Sequence, residues 1–217
     1  MKNQTIYYVQ DALCGWCYGM SPVMERLYKE HNQKYDFVAL SGGMIRGENV
    51  RPISGMASFI RQAAPRLEEV AGVKLTDTYH REILDKGTYQ SNSEPPAIAL
   101  AILKDYFPDQ QLPMATAIQR LHFEEGKDLN EVDVYLPVVR AFGADEGDFK
   151  RKFTDKEFLA KARQDFELVE NWGITGFPAV ICQSWEKLYL VARGYMPYEQ
   201  LLAALQQLEQ DAGEAGR

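Results

Sequence analysis

Cysteine, histidine and positive charge are all scarce in this sequence. Its 217 residues include three cysteines and three histidines, and 24 basic residues stand against 31 acidic ones, a formal net charge of −7. An acidic chain lacks the basic surface with which nucleic-acid-binding proteins replace the counterions of phosphates. So few cysteines, in an odd number, also exclude the disulfide scaffold of small secreted proteins. The composition predicts a globular protein without a nucleic-acid partner.

Long hydrophobic segments are also missing. The longest uninterrupted apolar run, residues 97–103, has seven residues, whereas a helix needs roughly 20 to cross a bilayer. Residues 1–5 lead directly into a strand-like segment, without the apolar stretch of a signal peptide. We therefore expect a cytoplasmic protein with no membrane partner.

The two ends of the chain are predicted to be α/β and the middle to be helical. Segments rich in β-branched and aromatic residues indicate strands, and apolar residues at helical spacing follow the first and the last of them. The predicted strands are residues 5–9, 36–41, 179–182 and 187–192. This order predicts one domain formed by residues 1–43 and 171–217, with a helical domain of residues 44–170 inserted into it.

Cap residues mark several helix ends within the predicted insertion. Thr154 and Glu157 form a capping-box pattern, which predicts Thr154 as the N-cap of a helix. Four glycines each follow a candidate helix and are predicted to be left-handed C-caps: Gly72, Gly87, Gly126 and Gly143.

The sequence Cys14-Gly15-Trp16-Cys17 lies between the first predicted strand and the next helix. Two cysteines three residues apart at a helix start face the same side, about 5–6 Å apart between Cβ atoms. A small adjustment would bring them to disulfide distance. The N–H groups of the first turn favour a thiolate at Cys14, which is predicted to be the exposed nucleophile. Cys17 is then predicted to be the resolving thiol.

Half of a zinc site is the alternative interpretation of this cysteine pair. A structural zinc takes four ligands, usually from a second pair at short spacing. The sequence has no second Cys-X-X-Cys, and its histidines His31, His80 and His122 are scattered singly. The pair is therefore interpreted as redox-active, with no metal and no organic cofactor.

A second motif, Gly176-Phe177-Pro178, precedes a late strand. From the residues alone, a trans proline in a loop is the default, because few X-Pro bonds are cis. Together with Cys14-Gly15-Trp16-Cys17, however, the motif resembles the thioredoxin superfamily. The helical insertion is similar to the DsbA-like branch, and residues 11–19, 92–95 and 193–195 are similar to a cytoplasmic subgroup near the FrnE-like proteins.

The resemblance implies an α/β thioredoxin fold with a large helical insertion, and thiol–disulfide exchange as the activity. It implies that Pro178 is cis and packs beside the cysteines. The main chain of Phe177 would then pair with a bound polypeptide like an added strand. Trp16 is expected to be partly exposed and to contact substrate.

We expect a reductase or isomerase type of exchange, because Gly15-Trp16 carries no cation and Asp11 lies just upstream. The partner is expected to be a disulfide-containing protein or a small thiol, with glutathione a candidate; the oligomeric state stays open. One alternative is a glutathione-dependent transferase or isomerase of the kappa-class or hydroxychromene-carboxylate isomerase type, which typically uses serine where this chain has Cys14. Another alternative is a holdase-like binding protein.

Three further residues each admit two interpretations. Asp11 either assists proton transfer to Cys17 or is a hydrogen-bonded acid at the end of a strand. His122 either faces the cysteines from the insertion or is a satisfied core or interface histidine. Cys182, in an apolar strand, is interpreted as a small buried hydrophobe rather than a reactive thiol.

Overall fold

The two cysteines lie after the carboxyl end of the first strand, at the start of the first helix. The computed structural model describes residues 4–215, and side chains as far as residue 211. Strand β1 (Gln4–Gln10) is followed by helix α1 (Gly15–His31) and strand β2 (Asp36–Ser41). Strands β1 and β2 pair in parallel, with Val9 opposite Leu40. The carboxyl ends of both strands therefore lie side by side, at the end of the sheet where the cysteine motif begins.

Helix α1 continues through an internal proline. Pro22 has no N–H to donate to the Tyr18 carbonyl, and the Ser21 hydroxyl donates to that oxygen at 2.7 Å instead. The same helix buries Met24 and Leu27 in the main hydrophobic core. The cysteine pair at its start is therefore held on an anchored helix.

Helices dominate the segment that follows β2. In chain order the elements are β3 (Arg51–Pro52), α2 (Ser54–Ala71), the short α3 (Asp77–Tyr79), a π-helix (His80–Asp85), β4 (Gln90–Ser91), α4 (Glu94–Tyr106), α5 (Gln111–Phe123), α6 (Leu136–Phe142), α7 (Glu146–Phe153) and α8 (Lys156–Asn171). Short 3-10 turns occupy Gly47–Asn49, Pro108–Gln110 and Val132–Tyr135. Strands β3 and β4 pair as a small antiparallel ribbon.

The predicted C-caps are confirmed at Gly72 and Gly143, and the predicted N-cap is wrong at Thr154. Gly87 and Gly126 share the positive φ angles, but Lys86 and Glu124 are the C-caps of the helices before them. Helix α8, however, has Asp155 as its N-cap, and the Asp155 carboxylate accepts from the Glu157 N–H at 2.9 Å. Thr154 uses its hydroxyl to donate to the Arg151 carbonyl at the end of α7. A carboxylate is the stronger acceptor for a helix N-terminus, so the cap shifts by one residue.

The chain returns to the sheet with β5 (Ala179–Ser184) and β6 (Lys187–Arg193), and α9 (Tyr198–Ala215) follows. The strand order is β2-β1-β5-β6, and both β1 with β5 and β5 with β6 are antiparallel. The predicted β-α-β, helical, β-β-α order is confirmed. The amino end of β5 lies at the same end of the sheet as the cysteine motif, because Val9 is opposite Ala179.

The largest hydrophobic cluster joins the sheet to the helices on one side of it. It contains Ile6 and Tyr8 of β1, Leu100 of α4, Ile118 of α5 and Leu201 of α9. The sheet and the helices of the middle segment thus share one core. The division into two domains at residues 43/44 and 170/171 stays a prediction.

Candidate active site

Cys14 is the N-cap of helix α1 and the more accessible sulfur of the pair. Its backbone is extended, with φ −87° and ψ 112°, and its sulfur accepts from the Cys17 N–H at 3.3 Å. Cys14 is 7% exposed and Cys17 is 0% exposed. Both are free thiols. Cys14 is thus less exposed than the sequence predicted, but it alone of the two offers any surface to a substrate.

The loop before β5 covers the Cys14 sulfur. Cys14 Sγ lies 3.7 Å from the Phe177 carbonyl oxygen, to which the thiol donates. The Phe177–Pro178 peptide bond is cis, as the resemblance implied. The Pro178 carbonyl accepts from the Gly194 N–H at 2.8 Å, which ties this loop to the end of β6. The structure therefore brings Cys14, Phe177 and Pro178 together, and the covering loop explains the low exposure of Cys14.

Asp11 holds the loop that leads into the cysteine motif. Its carboxylate accepts from the Leu13 N–H at 3.0 Å and from the Met44 N–H at 2.8 Å, while its carbonyl accepts from the Cys14 N–H at 3.1 Å. Burial raises the pKa of Asp11, and these N–H donors lower it in part. The hydrogen-bonded acid is therefore present as one interpretation expected. Proton transfer to Cys17 stays a prediction.

Cys17 lies in the first turn of α1, beneath Cys14. Burial raises the pKa of the Cys17 thiol well above its usual range, and the neighbouring Cys14 raises it further. The Tyr8 hydroxyl donates to the Cys17 carbonyl at 2.9 Å and fixes this turn against β1. A thiol in such a setting keeps its proton near neutral pH. It needs a proton acceptor before it can attack.

Trp16 is half-buried, as expected, and packs partly against the middle segment. Its indole lies against the hydrophobic cluster that includes Tyr18 of α1 and Leu67 of α2. Met56 and Ile60 of α2 border the same cluster. Trp16 therefore packs against this cluster in addition to the surface that it leaves free.

A model of the DSBA-like thioredoxin domain matches residues 5–206 of this chain. The chain belongs to the DSBA-like thioredoxin family. The predicted fold, an α/β thioredoxin fold with a large helical insertion, is confirmed by this match. The predicted enzyme class, thiol–disulfide oxidoreductase, is likewise confirmed at the level of the DSBA-like family.

Solved structures of similar fold include proteins of disulfide chemistry. A candidate protein disulfide isomerase from Nitrosomonas europaea is 23% identical, with a TM-score of 0.83 over 96% of this chain and 98% of that one. The cytosolic disulfide reductase DsbM from Pseudomonas aeruginosa is 24% identical, with a TM-score of 0.79 over 95% and 99%. A 2-hydroxychromene-2-carboxylate isomerase is 10% identical, with a TM-score of 0.66 over 98% of each chain. No curated protein matches the sequence.

His122 and Cys182 are buried in the core of the DSBA-like fold. His122 is 1% exposed, its ring packs against Tyr79, Tyr89 and Phe123, and its Nδ1 lies 3.1 Å from the Lys127 carbonyl oxygen. Of the two interpretations of His122, the structure therefore supports the core histidine with a satisfied hydrogen bond. Cys182 is 1% exposed in β5, and burial raises the pKa of its thiol to about 11. It behaves as the small buried hydrophobe that the sequence indicated.

The burial of His122 predicts a loss of stability in acid. Burial lowers the pKa of His122 to about 4, against 6.5 for an ordinary histidine in the unfolded chain. Above pH 6.5 both states carry a neutral ring and stability is complete. Between pH 6.5 and 4 only the unfolded state gains the proton, so about 3 kcal/mol is lost across this window. Urea unfolding at several pH values should show the loss, and a smaller one in His122→Phe. Equal losses in both proteins would contradict the assignment.

Two neighbours of the site were not identified from the sequence as part of it. Met44 supplies the N–H that binds Asp11, and Gly42 lies beside the Phe177 ring. The sequence did contain a signal for these neighbours: the carboxyl ends of two adjacent parallel strands lie at the same end of a sheet, so residues after β2 are expected near the residues after β1.

Proposed function

We propose that the protein reduces or isomerises disulfides, with Cys14 as the attacking thiol and Cys17 as the resolving thiol. The observation that carries this proposal is the hydrogen bond from the Cys17 N–H to the Cys14 sulfur at a helix N-terminus. A hydrogen bond and a positive helix end both favour sulfur as an anion, the form that attacks disulfides. The exposure difference, 7% against 0%, gives Cys14 the first contact with substrate.

The reaction proceeds in two exchanges. The Cys14 thiolate attacks one sulfur of the substrate disulfide, and the other sulfur leaves as a thiolate that takes up a proton. Cys17 then loses its proton and attacks the Cys14 sulfur, which releases the second substrate thiolate. Two electrons pass to the substrate, and the enzyme is left with a Cys14–Cys17 disulfide. In isomerisation, a substrate thiol attacks the mixed disulfide instead and the dithiol is recovered.

Asp11 is the group that we assign to accept the Cys17 proton. Both side chains are buried, and burial raises the pKa of each. A proton that moves from Cys17 to Asp11 therefore does not pass through bulk water. The negative charge of Asp11 also contributes to the raised pKa of Cys17. Because both Asp11 oxygens already accept N–H groups from Leu13 and Met44, the carboxylate is held in place for this role.

Phe177 and Pro178 form the substrate platform in this proposal, and Trp16 adds to it. The Phe177 carbonyl lies against the Cys14 sulfur. An extended polypeptide that pairs with the Phe177 main chain would therefore present its disulfide to that sulfur. The free surfaces of the Trp16 and Phe177 rings add apolar contacts.

Glutathione is proposed as the thiol that restores the dithiol form. Two glutathione molecules would reduce the Cys14–Cys17 disulfide in two exchanges and leave as glutathione disulfide. The structure of DsbM with glutathione supports this proposal, with a TM-score of 0.76 and 24% identity over 94% of this chain and 99% of that one. DsbM is described as cytosolic, and no helix in residues 4–215 is long and apolar enough to cross a membrane. The cytosolic location of DsbM agrees with the cytoplasmic location expected for this protein.

The isomerase of 2-hydroxychromene-2-carboxylate shares the fold, but the cysteine pair favours redox chemistry here. A glutathione-dependent isomerisation needs one group to activate glutathione and makes no use of a second sulfur. This chain has both Cys14 and Cys17, in hydrogen-bonding contact. The test is equilibration of the protein with defined ratios of reduced and oxidised glutathione. Peptide mapping should find a Cys14–Cys17 disulfide that forms and disappears reversibly.

Alkylation provides a direct measure of which thiol attacks. We expect iodoacetamide near pH 7 to label reduced Cys14 first, with Cys17 and Cys182 slower by roughly a hundredfold. Burial raises the pKa of Cys182 to about 11 and that of Cys17 well above its usual range, and both have almost no exposed surface. Mass spectrometry of time points gives the order. If Cys17 is labelled first, the two roles are reversed.

A further inference from the structure

Gly42 directly follows strand β2, and the ring of Phe177 occupies the space that a side chain at this position would need. Its N–H donates to the Gln10 carbonyl at 2.7 Å, which continues the parallel pairing of β1 and β2 by one residue. A Cβ atom on Gly42 would lie 2.3 Å from Cε1 and 2.4 Å from Cζ of Phe177. Such distances are well inside van der Waals contact. The Phe177 ring therefore lies directly on the Gly42 backbone.

The contact between Gly42 and Phe177 lies next to two parts of the cysteine site, the Phe177 carbonyl and the Asp11 carboxylate. The Phe177 carbonyl accepts from the Cys14 thiol at 3.7 Å. Two residues after Gly42, the Met44 N–H donates to the Asp11 carboxylate that holds the cysteine loop. The short segment 42–44 thus contacts the loop before Cys14 on one side and the loop of Phe177 on the other.

Backbone hydrogen bonds hold the Phe177 loop at Ile174, whose N–H donates to the Val169 carbonyl at 3.2 Å, and at Pro178, whose carbonyl accepts from Gly194. Between them, Thr175 and Gly176 are exposed. The ring on Gly42 is therefore an anchor for the part of the loop that carries the Phe177 carbonyl. Because Phe177 is half-buried and its contacting atoms are at the far end of the ring, a larger residue at position 42 would push the ring towards solvent.

We infer that Gly42 is a positioning residue for disulfide exchange. Its lack of a side chain seats the Phe177 ring and thereby holds the Phe177 main chain at the correct distance from the Cys14 sulfur. The inference rests on the proposed function, since it assumes that polypeptide substrates pair with that main chain. It assigns to Gly42 a role in binding extended polypeptides and none in the chemistry of the two sulfurs.

The test compares Gly42→Ala, Phe177→Ala and the double variant with two substrates, insulin and the small hydroxyethyl disulfide. For Gly42→Ala we expect kcat/KM with insulin to fall by roughly tenfold or more, mainly through KM. With hydroxyethyl disulfide the change should stay within about twofold. Gly55→Ala is the matched control, because a Cβ on Gly55 meets no atom within 4 Å and that residue lies at the exposed start of α2.

The double variant decides whether the effect acts through the ring. When Phe177 is already alanine, adding Gly42→Ala should change kcat/KM by less than about twofold. The inference is overturned if the loss persists without the ring, if Gly42→Ala leaves insulin reduction unchanged, or if both substrates lose equally. If Gly42→Ala fails to fold, the double variant must recover the fold, and its failure also overturns the inference. A wild-type protein that reduces neither substrate would instead refute the proposed function.

Discussion

Replacing Cys14 by serine is expected to remove disulfide reduction completely, whereas Cys17→Ser should stop the reaction half-way. A serine hydroxyl does not attack a disulfide, so Cys14→Ser should form no mixed disulfide at all. In Cys17→Ser the hydrogen bond to the Cys14 sulfur comes from the backbone N–H at position 17 and is retained. Cys14 should therefore still attack, and the mixed disulfide should accumulate because no second thiol resolves it. Non-reducing gels and intact mass measurements distinguish the two outcomes.

A Cys182→Ser variant is the control for this experiment, since the 1% exposed Cys182 has no place in the proposed reaction. It should turn over disulfides at the wild-type rate if it folds. Trapped complexes in Cys14→Ser, or undiminished disulfide reduction in Cys17→Ser, would refute the assigned roles.

The holdase alternative predicts a different result for the same cysteines. A protein that only binds unfolded chains through the apolar surface around Trp16 and Phe177 should suppress aggregation equally well without its thiols. The double variant Cys14→Ser/Cys17→Ser tests this in an aggregation assay with a reduced client protein. Retained suppression, together with no exchange activity in the wild type, would favour binding over catalysis.

The sequence predicted the parts of this fold that depend on local patterns. Strands appear where β-branched and aromatic residues alternate, and glycines with positive φ end helices because their neighbours cannot adopt that conformation easily. The position of the cysteine pair between β1 and α1 followed from the same reasoning. At Thr154 a local rule failed, because the adjacent Asp155 offers a stronger acceptor to the same helix N-terminus.

Contacts between distant segments could not be predicted in this way. No local pattern in residues 36–44 indicates that the ring of Phe177 lies on Gly42, more than a hundred positions away along the chain. The partial burial of Cys14 has the same origin, because a loop from the far end of the sequence covers it. The sequence left two interpretations open for His122, and the packed rings of Tyr79 and Tyr89 show that it is in the core.

The environment of Cys14 bears on the direction of exchange. In residues 4–211 the hydrogen bond that reaches its sulfur comes from one backbone N–H, that of Cys17. The Phe177 carbonyl accepts from the thiol and would repel a thiolate. No lysine, arginine or histidine of this part of the chain forms a hydrogen bond to the sulfur. The reduced form therefore gains little extra stability from its surroundings, which makes the dithiol a good reductant.

We accordingly expect the Cys14–Cys17 pair to have a potential within or below the cytosolic glutathione range of roughly −220 to −320 mV. The protein should reduce insulin faster than it oxidises a reduced unfolded protein. Equilibration with glutathione buffers measures the potential, and a value far above this range would contradict the expected direction.

Trp16→His tests the physical reason for that direction. An imidazolium between the two cysteines would stabilise the Cys14 thiolate, favour the reduced form and raise the potential by about 30 mV for each 1.4 kcal/mol gained. Because the ring is charged mainly below its ordinary pKa of about 6.5, the shift should be larger at pH 6 than at pH 8. Trp16→Phe is the matched control, since it keeps an aromatic ring against the cluster that includes Tyr18 and Leu67 and adds no charge. Equal shifts in both variants would mean that packing against this cluster, and not charge beside the sulfur, sets the potential.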